Sequence, residues 1–173
     1  LEAEEYKIFI DKSLITINYS DYGGKLYSII TLVQLVNFYK SKLPLGLIED
    51  KPSLSWRGMH LDCARQFYSI ERIKRLMDYM CFFKLNRFHW HLTDNEAWRV
   101  ELECYPNLTN QGAFRGYNEK IPPFYGTGYN KSGGYYSRSE IEELIEYAKQ
   151  RNIEIMPEID LPAHSWTLLE IMP

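Results

Sequence analysis

The sequence predicts an α/β fold with parallel strands, and three observations carry this prediction. From Trp56 onwards, strand-like and helix-like segments alternate in the order strand, helix, strand, helix, strand, as parallel strands with crossover helices require. Polar residues follow directly after the predicted strands, which is where α/β proteins place their functional groups. The chain has 173 residues and is 45% hydrophobic, which is enough for a sizeable core.

The first fifty residues predict a smaller α+β unit. Two β-rich runs, at residues 6–10 and 14–17, predict a hairpin. After Gly23-Gly24 the apolar residues recur at a helical period. The segment from 41 to 55 contains prolines and a glycine and predicts a linker. Because two strands and one helix make a poor independent domain, we interpret residues 1–50 as the end of a small domain that begins upstream.

The second part of the chain predicts three strand-and-helix units. Ser69 is expected to cap the first helix, and Ser139 with Glu142 forms a capping box that opens the second. The remaining expected elements are strands at 56–61, 86–92 and 153–156, a long loop at 95–137 and the start of a helix at 166–171.

Composition excludes several classes of function. The net charge of −3 and the pI of about 5.8 do not suggest a nucleic-acid partner. The longest apolar run, from Ile29 to Val36, is too short to cross a bilayer, so no membrane partner is expected. The three cysteines are odd in number and lack metal-ligand spacing, which favours free thiols.

The run from Phe88 to Arg99 holds imidazoles, indoles, carboxylates and a guanidinium just after a predicted strand. His89 and His91 share one face of that strand, because side chains alternate along it. With His164 they could hold Zn²⁺ and activate water, which would make the protein a metal-dependent hydrolase. The alternative is that the histidines only line a pocket.

Carboxylates and an aromatic ring supply further candidates. Asp94 with His164 forms a plausible pair in which the carboxylate orients the imidazole. Glu158 and Asp160 share one face of a strand end, as an acid/base pair, as metal ligands or as partners for arginines. Trp98 could stack on a sugar face or simply pack.

Asp62 ends the first strand of the second part, whereas Arg57 begins it. A structural role is favoured for Arg57 by strand direction alone, because functional groups gather at the carboxyl end. The Arg57 side chain is nevertheless long, and its guanidinium fork suits vicinal hydroxyls.

Four spaced blocks of this sequence resemble family 20 of the glycoside hydrolases, the β-N-acetylhexosaminidases. They are Arg57-Gly58-Met59-His60-Leu61-Asp62-Cys63-Ala64-Arg65, Lys84 to Asp94 (KLNRFHWHLTD), Gly134-Tyr135-Tyr136-Ser137 and Met156 to Ser165 (MPEIDLPAHS). Gln66 and Ala163 depart from the family pattern, which usually has His and Gly there.

This resemblance implies an incomplete (β/α)₈ barrel, with residues 51–173 as the N-terminal portion of the catalytic barrel. It implies that Arg57 binds ring hydroxyls, with Asp62, Glu158, Asp160 and Trp98 as further substrate-binding residues. Asp94 and His164 would form a dyad that supports the catalytic acid. The substrates would be glycans that carry N-acetylhexosamine, and no metal or other cofactor is implied.

The family hydrolyses its substrate with help from the 2-acetamido group, which an Asp orients while an adjacent Glu protonates the leaving oxygen. No Asp-Glu dipeptide occurs in this sequence. We therefore expect the isolated chain to be catalytically inactive, with an open barrel edge that a second chain or an oligomer contact would cover. A sugar-binding half-barrel without catalysis is the other reading to be tested.

Overall fold

The computed structural model describes residues 1–40, 42–124 and 127–172. The N-terminal part forms an antiparallel sheet with one helix on it. Its elements are β1 (Tyr6–Ile10), β2 (Ile15–Tyr19), α1 (Tyr22–Tyr39) and β3 (Gly46–Asp50). The predicted hairpin and helix are both present, and Asp21 caps the helix by accepting a hydrogen bond from the backbone N–H of Gly24.

The prediction of a linker across 41–55 is wrong for its central residues. Ser41 lies outside the described residues, but β3 pairs with β1 along its full length, from Tyr6 opposite Asp50 to Ile10 opposite Gly46. The sheet order is therefore β2-β1-β3. The buried face of β1 presents Tyr6, Ile8 and Ile10 to Tyr27 of α1, which gives this part its own small core.

The second part builds a parallel sheet, as the sequence predicts. Its elements are β4 (Gly58–Asp62), α2 (Ile70–Phe82), β5 (Arg87–His91), β6 (Thr93–Asp94), β7 (Ala97–Trp98), α3 (Asn107–Asn110), β8 (Phe114–Arg115), β9 (Ser132–Gly133), α4 (Arg138–Lys149), β10 (Glu154–Glu158) and α5 (Trp166–Ile171). The sheet order is β10-β5-β4 and both pairings are parallel. This sheet with its helices confirms the α/β fold class.

The two faces of the parallel sheet differ in chemistry. Phe88 and Trp90 of β5 are buried in one apolar core with Ile73 and Met77 of α2 and Leu144 of α4. Because side chains alternate along a strand, the neighbouring positions point to the opposite face. That face carries His60, Asp62, His89, His91 and Glu158, so one side of the sheet makes the core and the other presents polar groups.

The capping box of α4 lies two residues before the predicted one. Ser137 accepts a hydrogen bond from the backbone N–H of Glu140, whose carboxylate in turn accepts from the backbone N–H of Ser137. Glu142, the expected partner of Ser139, instead accepts a hydrogen bond from Arg138 at 3.0 Å. The predicted helix is therefore right and its first residue is wrong.

Both β4 and β10 are edge strands of the parallel sheet. Beside β10 lies a groove of about 1240 Å³, and its apolar lining includes Ile141, Ile145, Ile153, Ile155, Pro157 and Ile159. Within the described ranges, no helix has both the length and the apolar character needed to cross a membrane.

Candidate functional site

A single arginine organises the carboxyl ends of β4 and β5. Arg65 lies three residues after the end of β4, and its side chain is 38% exposed. Its Nη1 donates to Asp62 Oδ2 at 2.7 Å, its Nη2 lies 2.5 Å from Asp94 Oδ2, and its Nε lies 3.6 Å from Glu96 Oε2. We call Arg65 with Asp62, Asp94 and Glu96 the Arg65 cluster. It holds three carboxylates against one guanidinium.

Asp94 also holds His164, as the sequence predicts. Asp94 is buried, and its Oδ1 lies 3.0 Å from His164 Nδ1. A carboxylate can only accept, so Nδ1 donates to it, and Nε2 carries a lone pair whenever the ring has a single proton. The imidazole itself is half exposed, which leaves that lone pair accessible to a ligand or a neighbouring group.

The backbone at His164 is unusual. Its φ is +54°, a left-handed conformation that residues other than glycine rarely adopt. Strained positions of this kind persist only where surrounding contacts fix them, and they gather at functional sites. The short contact with Asp94 is one contact that fixes this side chain.

His91 and Asp160 line the neighbouring wall. His91 is buried, and its Nε2 donates to the Thr93 carbonyl at 2.8 Å. The same nitrogen lies 3.4 Å from Asp94 Oδ2 and 3.5 Å from Asp160 Oδ2, while Nδ1 lies 3.4 Å from Asp62 Oδ1. The ring of His91 therefore lies between three carboxylates. Asp62 ends β4, Asp94 ends β6 and Asp160 follows β10.

Two carboxyl groups of the Arg65 cluster have shifted pKa values, in opposite directions. Burial raises the pKa of Asp62, but the backbone N–H and the guanidinium of Arg65 outweigh it, so the net shift is downward. Burial and the nearby charge of Asp94 raise the pKa of Glu96, and Arg65 only partly opposes them. Glu96 Oε2 has no hydrogen-bond donor among the described residues.

The raised pKa of Glu96 gives a testable pH dependence. Because the pKa of Glu96 is raised, the folded state holds the carboxyl proton more tightly than the unfolded state does. The contribution of the protonated carboxyl to stability is complete below the unfolded pKa, near 4.5, and is lost as pH rises through the pKa of the folded state. Relative to the wild type, Glu96→Gln should therefore gain stability as pH rises. The gain should not exceed the roughly 1–3 kcal/mol that an unsatisfied buried polar group costs.

Urea unfolding of both proteins from pH 4 to pH 8 measures this difference. The expected difference in unfolding free energy grows with pH and then becomes constant. A difference that is constant from pH 4, or that shrinks as pH rises, would contradict the assignment. Glu119→Gln is a suitable control, because the ion pair of Glu119 is with Lys131 and not with a member of the Arg65 cluster.

The structure does not bring Arg57 to this site, and this corrects the prediction that Arg57 binds ring hydroxyls. Arg57 precedes β4 and lies at the opposite end of the strand from Asp62. Its guanidinium is occupied by the carbonyls of Leu54 and Lys84 and by Glu4, with Nη2 2.7 Å from Glu4 Oε2. It therefore joins the N-terminal segment to the parallel sheet, which is the structural role that strand direction favoured.

Glu4 is the centre of this second polar cluster. Besides Arg57, it accepts hydrogen bonds from Asn86 at 3.3 Å and from Asn152 at 2.7 Å, and the Tyr27 hydroxyl lies 3.4 Å away. Its side chain is 15% exposed. These partners come from α1, from the segment before β5 and from the segment before β10. We call them, together with Glu4, the Glu4 cluster.

Two further expectations are changed by the structure. Trp98 is buried and its Nε1 donates to the Val100 carbonyl at 2.7 Å, so its ring offers little surface for stacking on a sugar. The ion pairs that Glu158 forms with described residues are with His89, at 2.6 Å between Oε2 and Nε2, and with His60, and neither of these belongs to the Arg65 cluster. Asp62 belongs to the Arg65 cluster, and Asp160 Oδ2 lies 3.5 Å from His91 Nε2, so both carboxylates lie at the site.

The zinc triad of His89, His91 and His164, which the sequence offered as an alternative, is not assembled. His164 pairs with Asp94, His89 pairs with Glu158, and His91 donates to a backbone carbonyl. Among the described residues, the side chains that could bind a metal form two other sets. One set is His60, His89 and Glu158, and the other is His91, Asp94 and Asp160.

Sequence reasoning missed Arg65 as the central residue of the site. The signal was present, because Arg65 ends the first block that resembles the family and follows the carboxyl end of its strand. Glu96 was also missed. Its position two residues after Asp94, across a short turn between β6 and β7, placed it near the site.

Residues 54–173 match the model of the glycosyl hydrolase family 20 catalytic domain. A β-hexosaminidase from Vibrio furnissii is 42% identical over 175 residues, which covers 100% of this chain and 29% of the relative. An N,N'-diacetylchitobiase from Vibrio harveyi is 38% identical over 168 residues, covering 92% of this chain and 19% of that relative.

Solved structures agree with this match. A family 20 exo-β-N-acetylglucosaminidase from Vibrio harveyi, in complex with N-acetylglucosamine, superposes with a TM-score of 0.93 at 40% identity, covering 100% of this chain and 28% of the other. A β-N-acetylhexosaminidase from Bacteroides fragilis gives 0.87 at 35% identity, covering 100% and 34%. The chain therefore spans about a fifth to a third of the length of these relatives.

Proposed function

Because the chain belongs to glycosyl hydrolase family 20, we propose that it forms part of the catalytic domain of a β-N-acetylhexosaminidase. Such an enzyme would remove terminal N-acetylhexosamine residues from the non-reducing ends of glycans. The observation that carries the proposal is the contact between buried Asp94 and half-exposed His164, held next to Arg65 at the carboxyl ends of parallel strands.

The proposed architecture follows from the strand order. The three strands of the parallel sheet, β4, β5 and β10, lie side by side in the order in which they occur along the chain. The first three strands of a (β/α)₈ barrel would have this arrangement. We assign residues 51–173 to this portion of the barrel and residues 1–50 to the end of a small α+β domain. The site then lies at the carboxyl-terminal face, where barrel enzymes place their chemistry.

In the proposed mechanism, the Asp94–His164 pair supports the group that protonates the leaving oxygen. Asp94 fixes the ring with its proton on Nδ1, so Nε2 can accept a hydrogen bond from a protonated carboxyl group placed beside it. The charge of Asp94 also stabilises the imidazole if it takes up that proton. Acid strength at the leaving oxygen would thus depend on a residue that does not touch it.

Arg65 takes the substrate-binding role that the sequence analysis gave to Arg57. A guanidinium has five N–H donors. Nη1 donates one of them to Asp62, whereas Nη2 forms an ion pair with Asp94 without a hydrogen bond to its Oδ2. The remaining N–H groups on these atoms can bind vicinal hydroxyls as a fork. Asp160 lies on the same rim and can accept from a sugar hydroxyl.

The surplus of carboxylates also suits this reaction. Four carboxyl groups surround Arg65 and His91, namely those of Asp62, Asp94, Glu96 and Asp160. Glycoside hydrolysis develops positive charge on the sugar ring, and fixed negative charge nearby stabilises that transition state. The apolar groove beside β10 is proposed to be covered by further barrel structure or by a second chain.

Activity measurements on two proteins, the isolated chain and a chimera, test the proposed function. The 173-residue chain alone should not hydrolyse a chromogenic N-acetylglucosaminide, because it contains no Asp-Glu dipeptide. A chimera in which this chain replaces the matching segment of the Vibrio furnissii β-hexosaminidase should hydrolyse it. Turnover by the chain alone would contradict the proposed division of labour, and a folded but inactive chimera would contradict the proposed function.

A further inference from the structure

Two histidines and a glutamate, namely His60, His89 and Glu158, lie together on the face of the parallel sheet opposite the core. The register pairs His60 of β4 with His89 of β5, and it pairs His91 of β5 with Glu158 of β10. His89 and His91 are two residues apart and so share a face. The backbone alone therefore places His60, His89 and Glu158 side by side on three adjacent strands, whatever rotamers they adopt.

Their nitrogen and oxygen atoms converge. Glu158 Oε2 lies 2.6 Å from His89 Nε2 and 3.8 Å from His60 Nε2, and the ring centroids of the two histidines are 4.7 Å apart. All three ligand atoms lie within 4.8 Å of one another. The side chains are 31–49% exposed, so a small ion can reach them.

We propose that His60, His89 and Glu158 bind a divalent transition-metal ion, with Zn²⁺ as the best match. Two imidazoles and one carboxylate are a ligand set that Zn²⁺ and its neighbours use with a fourth position open to water. Ligand atoms about 2.1 Å from a tetrahedral ion are about 3.4 Å apart. The two distances to Glu158 Oε2 lie on either side of that value, so rotations of side chains can reach it.

A hydrogen bond alone accounts for only part of this arrangement. Glu158 bonds His89, but the same oxygen is approached by His60 at a distance too long for a hydrogen bond. One cation bound to three neutral or negative ligands satisfies all of them.

The other group of metal-ligating residue types is less suitable. His91 uses Nε2 to donate to the Thr93 carbonyl, so that nitrogen has no lone pair for a metal. Asp94 is already paired with Arg65, whose positive charge opposes a cation. The geometry therefore favours His60, His89 and Glu158, whose ion pairs in the described part of the chain are with one another and not with Arg65.

The role of this site is to cross-link β4, β5 and β10. A metal that binds only the folded chain stabilises it by mass action. Affinity should fall at low pH, because the imidazoles must be neutral to bind and metal binding displaces their protons. The proposal does not depend on hexosaminidase activity, since metal binding is measured on the chain itself.

Isothermal titration of the full chain with Zn²⁺ tests the proposal. Cys104→Ser serves as the background, because Cys104 is an exposed thiol that would bind zinc nonspecifically. One equivalent should bind at pH 7.5 and more weakly at pH 5.5. His89→Ala and Glu158→Gln should each weaken binding at least about tenfold, which is the effect of losing even an outer partner of a metal site.

His164→Ala is the matched control, because His164 is as exposed as His60 but lies outside the proposed site. It should bind Zn²⁺ like the background protein. If His89→Ala does not fold, the isosteric Glu158→Gln and the exposed His60→Ala supply the test. Absence of saturable binding would overturn the proposal, as would affinity that depends on His164 but not on His60, His89 or Glu158.

Discussion

Replacing Glu4 by alanine is expected to lower the free energy of unfolding by about 3 kcal/mol. Its carboxylate is the one anion in contact with Arg57 among the described residues, and both side chains are about five-sixths buried. Removing one partner of a buried ion pair costs roughly 3–5 kcal/mol, because the other charge is left desolvated. Asn86 and Asn152 would also lose an acceptor.

Urea unfolding measures this loss, and Glu2→Ala is its matched control. Glu2 forms a similar ion pair with Lys51 at 2.6 Å, but that pair is exposed and screened by solvent, so its removal should lower the free energy of unfolding far less than removal of Glu4. The double variant Glu4→Ala/Arg57→Ala should be less destabilised than the sum of the two single variants, because the unpaired guanidinium is then absent. Additive losses, or equal losses for Glu2→Ala and Glu4→Ala, would contradict this account.

The Glu4 cluster also shows why part of the fold was beyond sequence reasoning. Glu4 stands in a short acidic run that resembles a solvated terminus, and its partners lie up to 148 positions away in the chain. Nothing local marks it as buried. The strand β3 was missed for a related reason: it is short and flanked by prolines, and its pairing with β1 is a long-range contact.

The helices and parallel strands were predictable because their signals are local. Apolar residues at a helical period define the inner faces of α2 and α4. The first residue of α4 was harder, since Ser137 with Glu140 and Ser139 with Glu142 both fit the spacing of a capping box. In the structure the first pair forms the capping box, because each of its side chains accepts a hydrogen bond from the backbone N–H of the other residue.

At the candidate site, strand direction was a better guide to the role of Arg57 than the resemblance was. Functional groups gather at the carboxyl ends of parallel strands, and this favours Arg65 over Arg57. The pairing of Asp94 with His164 was predicted from residue types and resemblance. The ion pairs of Arg65 were not, because they depend on how the chain turns after β4.

Asp94→Asn in the chimera described above is expected to lower kcat by about 10²-fold or more, within the range that positioned acid–base groups contribute. Asparagine keeps the shape of the side chain and an oxygen for His164 Nδ1. It removes the charge that stabilises a protonated imidazole, and it leaves Arg65 without one of its anions. Steady-state kinetics with a chromogenic N-acetylglucosaminide measure the effect, and Asp78→Asn, which alters a carboxylate paired with Arg151, should leave kcat unchanged.

The double variant Asp94→Asn/His164→Ala separates a working pair from two independent residues. If Asp94 acts through His164, the double variant should lose about as much activity as the worse single variant, because groups that act as a unit are not additive. Independent roles would instead multiply the two losses. Arg65→Lys should differ from both, raising KM more than it lowers kcat, since lysine keeps the charge but loses the fork that binds two hydroxyls. A kcat for Asp94→Asn close to that of the unmodified chimera would remove the basis for assigning this pair to catalysis.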